Sequence, residues 1–169
     1  MKKHFIELVT HYDEVGDIIE KQVFFTRPNI SLSLVYECVD YLEHFDNKNV
    51  DYQMLADIVS RIYDSQFSNK QLLNGLQSYE GYKILMDQIV FVATGNTVDS
   101  SDISKEQQEE VSSWGELKNN LRSMIKEAVK KGDKDINDVL NTPFYFFVQE
   151  LNEESKVVKK EESMLDAFM

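Results

Sequence analysis

Three histidines and one cysteine are the side chains best suited to nucleophilic, acid–base or metal chemistry in this chain, and their spacing assembles no site. His4, His11 and His44 stand apart, scattered among acids. A carboxylate-bridged di-metal centre in a helical bundle needs Glu-x-x-His pairs, which put two ligands on one helix face. The sequence has no such pair. His11 and Glu7 form an i, i+4 pair only if their segment is helical, so the histidines read as surface or core residues. Cys38 falls beside the apolar stripe of a helix, where free cysteines are usually buried and inert. Gly75, Gly81 and Gly95 are isolated, and no Gly-Lys-Ser or Gly-Lys-Thr follows to cradle a phosphate. Gly-x-Ser-x-Gly is absent as well. The acids fall on polar helix faces, where a charge run is a solvated surface. The expectation is therefore a protein that binds other proteins, with no catalysis, cofactor or metal.

The elements that would position any site follow from composition. A length of 169 residues suits one domain, or one domain plus an appendage. Apolar residues make up 42%, enough for a real core. Only six Gly and two Pro interrupt the chain, so long helices are expected. The formal net charge of −12 repels phosphate backbones and anionic lipid, which argues against nucleic acid and membrane as partners. A basic or amphipathic protein fits better. One cysteine allows no internal disulfide. No window approaches the roughly 20 apolar residues of a membrane span. Glu7 follows Met1-Lys2-Lys3-His4-Phe5 before any signal-peptide core develops, so the cytoplasm is the expected compartment.

Residues 18–26 (IIEKQVFFT) are rich in β-branched and aromatic residues and read as a strand. Residues 4–10 pair with it through a turn at 13–17, or else form a short amphipathic helix. Asn29 or Ser31 caps the next helix, whose stripe is Leu32, Val35, Val39 and Leu42. A second helix is expected from about Asp51 to Gln66, with Tyr52, Leu55, Val59 and Ile62 inward and Ile58 beside them. Ser68-Asn69-Lys70-Gln71 has the form of a capping box and opens a short helix. A broad-faced helix over about 80–93 carries Leu85, Met86, Ile89, Val90 and Ala93. Residues 96–112 hold five acids and one lysine and read as a mobile linker. Beyond it, Leu117, Leu121, Met124 and Ala128 form a stripe. Residues 135–151 form another helix with Ile136, Leu140, Phe144, Phe147 and Leu151 inward, split at Pro143. The fold class is thus mainly α, a small helical bundle with an N-terminal hairpin or short helix and a helical C-terminal appendage. The expected division is 1–95, linker 96–112, helical segment 113–151 and charged mobile tail 152–169.

Two features suit binding. Lys118, Arg122, Lys126 and Lys130 recur every four residues and make a basic ridge on one helix. The bland alternative is a solvated face balanced by Glu116 and Glu127. Phe144, Tyr145, Phe146 and Phe147 are consecutive aromatics, and on a helix they cannot all face one core. Some must meet another segment, subunit or partner, and Trp114 is a similar case.

A family resemblance rests on the order of three segments. Thr26-Arg27 leads into an amphipathic helix. Ala56-Asp57-Ile58-Val59 then leads to Ile62-Tyr63-Asp64-Ser65-Gln66-Phe67-Ser68. Leu72-Leu73-Asn74-Gly75-Leu76 precedes a helix ending near Gly95. This arrangement, over about residues 20–95, resembles the tail assembly chaperones of long-tailed (siphovirus-type) phages of Gram-positive bacteria. Residues 121–127, 136–140 and 144–151 are similar to the extension such phages add by ribosomal frameshifting, although the aromatic run departs from the commoner acidic form.

The resemblance implies that the first part coats the long, helical, aggregation-prone tape measure protein, and that the appended part brings in the tail tube protein. It also implies self-association into a homo-oligomer, and a place in the host cytoplasm. A coating protein needs an exposed apolar groove, for which Phe67, Leu72, Leu73 and Leu76 and the aromatic run are the candidates. The rival expectation is an adaptor or inhibitor domain that binds one folded protein. An enzyme would need His11, Glu7 and other acids to converge in a closed pocket. A nucleic-acid binder would need the basic ridge extended by further lysines.

Overall fold

In the computed structural model, residues 4–27, 29–46, 48–76, 81–94, 113–132 and 134–149 are described. The first two apolar segments settle as strands, β1 (Phe5–Tyr12) and β2 (Ile18–Phe25), paired antiparallel from Phe5↔Phe25 to Tyr12↔Ile18. The turn explains why. Asp13 Oδ1 accepts from the amides of Val15 at 2.9 Å and Asp17 at 2.7 Å, and Gly16 supplies the positive φ of +95°. A register shift between Val9 and His11 bulges β1 near the tip. Ile6 and Leu8 point into the core, and Phe24 meets Phe67 edge-on at 5.0 Å.

Helix α1 (Leu32–Glu43) starts at Ser31, whose side chain accepts from Leu34 N. Its stripe of Leu32, Val35, Val39 and Leu42 is buried as patterned, with Leu34 and Cys38 added. Burial pushes the Cys38 thiol up to about 12, helped by the Glu37 charge and opposed by Arg61. Helix α2 (Tyr52–Ile62) is capped by Asp51 and buries Leu55, Ile58, Val59 and Ile62. Tyr52 is exposed, contrary to the stripe expected of it. The helix ends four residues before Gln66, because Asp64 and Ser65 take left-handed backbone at φ 55° and 54°.

The capping box of α3 (Asn69–Gly75) is present, with Ser68 and Gln71 each serving the other's amide. A Cβ on Gly75 would stand 2.9 Å from Leu8 Cβ, so glycine lets α3 close on β1. Helix α4 (Gly81–Thr94) buries Leu85, Ile89, Phe91 and Val92. It also buries Gln88, whose Oε1 accepts from the Tyr63 hydroxyl at 2.6 Å. Burial drives the Tyr63 pKa well above that of an ordinary phenol.

Helix α5 (Trp114–Gly132) and α6 (Ile136–Asn141) pack on α1, and residues 144–149 form a further short helix, α7. Leu121, Ile125, Val139 and Phe147 join the same buried cluster as α1 to α4. Pro143 does split the C-terminal pattern, and the split is used: Leu32 N donates to Thr142 O and Phe144 N to Ile30 O, a two-bond staple to the start of α1. Ile136 is exposed rather than inward: it is the first residue of α6, at the end of the helix, while Val139, one turn on along the same face, is buried. Leu151, the linker 96–112 and the tail 152–169 lie outside the described residues.

Two outcomes follow. Tyr63→Phe strands the buried Gln88 acceptor and should cost about 1–3 kcal/mol in urea denaturation. Tyr63→Phe with Gln88→Met should recover part of that loss; equal losses in the single and double variants would show that the pair is not coupled. His4 stacks on Phe91 at 4.1 Å with its Nε2 buried and without a hydrogen-bond partner, and this burial lowers its pKa from 6.5, opposed by the nearby Gln88 side chain. The unfolded chain then binds the proton more readily, so stability is whole above 6.5 and falls as pH drops below it. His4→Phe should flatten that fall between about pH 7 and about pH 5. An unchanged acid slope would assign the effect to other groups.

Candidate partner-binding surfaces

The first expected surface is not a surface. Phe67, Leu72 and Leu76 are buried, and Leu73 is half-buried against the core. Phe67 fills the space between Phe24 and Tyr63, and α3 lies against β1 and α2. An apolar side chain on a seven-residue helix has little option but to face the body that helix caps.

The first half of the basic ridge is spent inside the molecule. Lys118 Nζ lies 2.5 Å from Asp40 Oδ1 and 2.5 Å from Glu43 Oε2 on α1. These two hydrogen-bonded carboxylates raise its pKa. Arg122 donates to the Tyr36 hydroxyl at 2.8 Å. Asp40, Glu43 and His44 bring ligand atoms within 4.8 Å of one another, a spacing that suits a cation. The Lys118 ammonium takes that place. Lys126 and Lys130, further along α5, are exposed.

The aromatic run divides as helix geometry demands. Phe147 is buried and Phe144 packs on the core, whereas Tyr145 and Phe146 are exposed, 63% and 53%, edge-on to each other at 5.6 Å. Trp114 lies half-buried against the core.

Sequence patterning missed the hairpin as a surface. Phe5, Val23 and Phe25 share its outer face, with Ile19 further along, and all four are exposed. The signal was there: residues 18, 19, 23, 24 and 25 are apolar at both parities, and a strand packed on one side can bury only one. Glu7 binds Lys21 at 2.7 Å on this face, and His11 pairs with Glu20 at 3.5 Å. Four residues apart on a strand is about 13 Å, so Glu7 and His11 do not converge. The cleft of about 340 Å³ between hairpin, α3 and α4 holds His4, Glu7, Asp87 and Gln88, without His11. Burial raises the Asp87 pKa there, against Lys83.

A family model described as phage tail chaperone protein matches residues 1–112. The chain belongs to this family. No curated protein and no solved structure matches it. As a tail chaperone it serves tail assembly, a non-enzymatic role. No helix among the described residues is long and apolar enough to cross a membrane. The matched part of the tail chaperone takes in the hairpin and α1 to α4, and stops two residues before α5.

Because Lys118 ties α5 to α1, Lys118→Glu should loosen that helix by setting like charges together. Amide exchange should speed across 114–132 and stay unchanged in α2 and α4. Uniform speeding through all helices would instead mean that the ion cluster supports the whole fold.

Proposed function

We propose that this tail chaperone binds and solubilises the tape measure protein, and helps recruit tail tube protein. The observation that carries the reading is the apolar outer face of the hairpin, which lies within the residues that define the family. A chain of net charge −12 stays dispersed by self-repulsion, while Phe5, Val23 and Phe25 offer apolar area to a client. Burial of such area drives binding without nucleotide hydrolysis.

The division of labour proposed is that 1–95 holds the client, 96–112 links, and 113–151 serves the tube subunit ahead of the tail 152–169. Tyr145, Phe146 and Lys126 are the exposed groups of the third segment suited to that contact. Phe67, Leu72 and Leu76 support the hairpin from beneath, and Lys118 and the exposed Arg122 are engaged on α1 rather than offered to a partner. Action in the host cytoplasm, where tails assemble, completes the reading.

Co-expression with a tape measure protein from the same genomic neighbourhood tests it. The client should become soluble and co-purify. Phe5→Ser with Phe25→Ser should abolish that, and Tyr145→Ser with Phe146→Ser should spare it while losing the tube subunit. An insoluble client with nothing co-purifying would sink the chaperone mechanism and leave an adaptor for one folded protein.

A further inference from the structure

The cleft between the hairpin, α3 and α4 holds two polar groups that the fold leaves unanswered. Asp87 is half-buried on α4, and among the described residues its carboxylate makes no hydrogen bond or ion pair. Lys83, one turn earlier on the same helix, acts on it only through space. His4 also lines the cleft, and its Nε2 is buried without a partner, although buried polar atoms almost always have one. Glu7 and Lys21 satisfy each other at 2.7 Å. The remaining wall is largely apolar, from Phe5, Val9 and Ile84. The space, about 340 Å³, has room for one long side chain.

The chemistry of these groups selects the ligand. An anion would meet the Asp87 and Glu7 carboxylates and be repelled. A metal ion needs ligand atoms close together, and among the described residues only Asp40, Glu43 and His44 bring three within 4.8 Å of one another. His4, Glu7 and Asp87 stand too far apart for that. The fitting ligand is a cation that is long, partly apolar and able to reach separated acceptors.

We propose that this cleft seats an arginine side chain of a partner polypeptide, with its guanidinium on Asp87 and its methylenes against Val9 and Ile84. A guanidinium carries five N–H donors in a planar fork and is weakly hydrated. It pairs with a carboxylate and still has donors to spare for His4 Nε2, an acceptor when the imidazole proton is on Nδ1. Burial keeps His4 neutral at pH 7, so the imidazole does not oppose the incoming charge. The Asp87 carboxylate is already partly desolvated in the free chain, so much of the cost of burying it is met before the partner arrives. A lysine brings a compact, strongly hydrated charge with fewer donors and fits less well. Phe5 belongs both to the cleft and to the apolar outer face of the hairpin, so one segment can place its arginine and its apolar residues together. Use of the cleft by a client rests on the proposed function; the guanidinium site does not.

Titration of the isotope-labelled full chain with N-acetylarginine methylamide, followed by NMR, tests the site. Saturable shifts should appear at His4, Phe5, Ile84 and Asp87. The lysine analogue should bind more weakly, and the citrulline analogue, which has the same shape without the charge, should not bind. Asp87→Asn should weaken the arginine probe about tenfold or more. Lys83→Gln removes a competing cation and should tighten it about two- to threefold, a gain that misfolding cannot produce. No saturable shift, equal binding of the lysine or citrulline analogue, or unchanged affinity in both variants overturns the proposal. In co-expression, Asp87→Asn should lower recovery of the client. A parent chain that binds the probe but recovers no client would count against the chaperone mechanism alone.

Discussion

Burial of α1 on two sides is the constraint on which the rest of the structure depends. Its apolar residues spread too widely for one neighbour to cover, and α2, α4, α5 and α6 all pack on it. At about 25 cal/mol per Å² of apolar area, leaving one side open would forfeit several kcal/mol. The polar edge of the same helix is equally committed. Asp40 and Glu43 take Lys118, Tyr36 takes Arg122, and Glu37 pairs with Arg61 of α2. Two of the four basic residues of the α5 ridge, Lys118 and Arg122, are therefore engaged on α1, and Lys126 and Lys130 are left exposed.

The hairpin obeys the opposite logic. It packs on the body through Ile6, Leu8 and Phe24, with Gly75 permitting the close approach of α3. A two-stranded sheet has two faces and two edges, and the helices cover one face and the β1 side. What remains is apolar and carries outward backbone groups. Its acidic tip at Asp13, Glu14 and Asp17 keeps that surface in water without hiding it. Exposed apolar surface and high net charge are the two properties a passive assembly factor has to combine, and here the hairpin combines them.

Local signals in the sequence were legible where they act over a turn or two. The capping box at Ser68, the cap at Ser31, the α1 stripe and the break at Pro143 all depend on neighbours within four residues. The choice between hairpin and helix at the N-terminus was open because residues 4–10 support either period, and the turn built by Asp13 and Gly16 decided it. Exposure was less legible. Leu72 and Ile19 look alike in composition, yet one is sealed and the other open, because the cover comes from elements distant in sequence. Lys118 finds the Glu43 carboxylate 75 residues away, and Tyr63 finds Gln88 across 25. No periodicity encodes such pairs.

The segment beyond the family match is bound into the fold it follows. Residues 113–149 lie outside the matched 1–112, yet Leu121, Ile125, Val139 and Phe147 complete the core around α1. Any chain of this design that ended before α5 would present the face of α1 to water, edged by Asp40 and Glu43. Such a face favours an amphipathic helix with basic flanks, which is what α5 itself is. Truncation therefore changes two things at once: it removes the exposed Tyr145 and Phe146, and it uncovers α1. Substitutions at those two aromatics remove one surface without creating another, so they, and not truncation, separate the work of the C-terminal segment from that of the body.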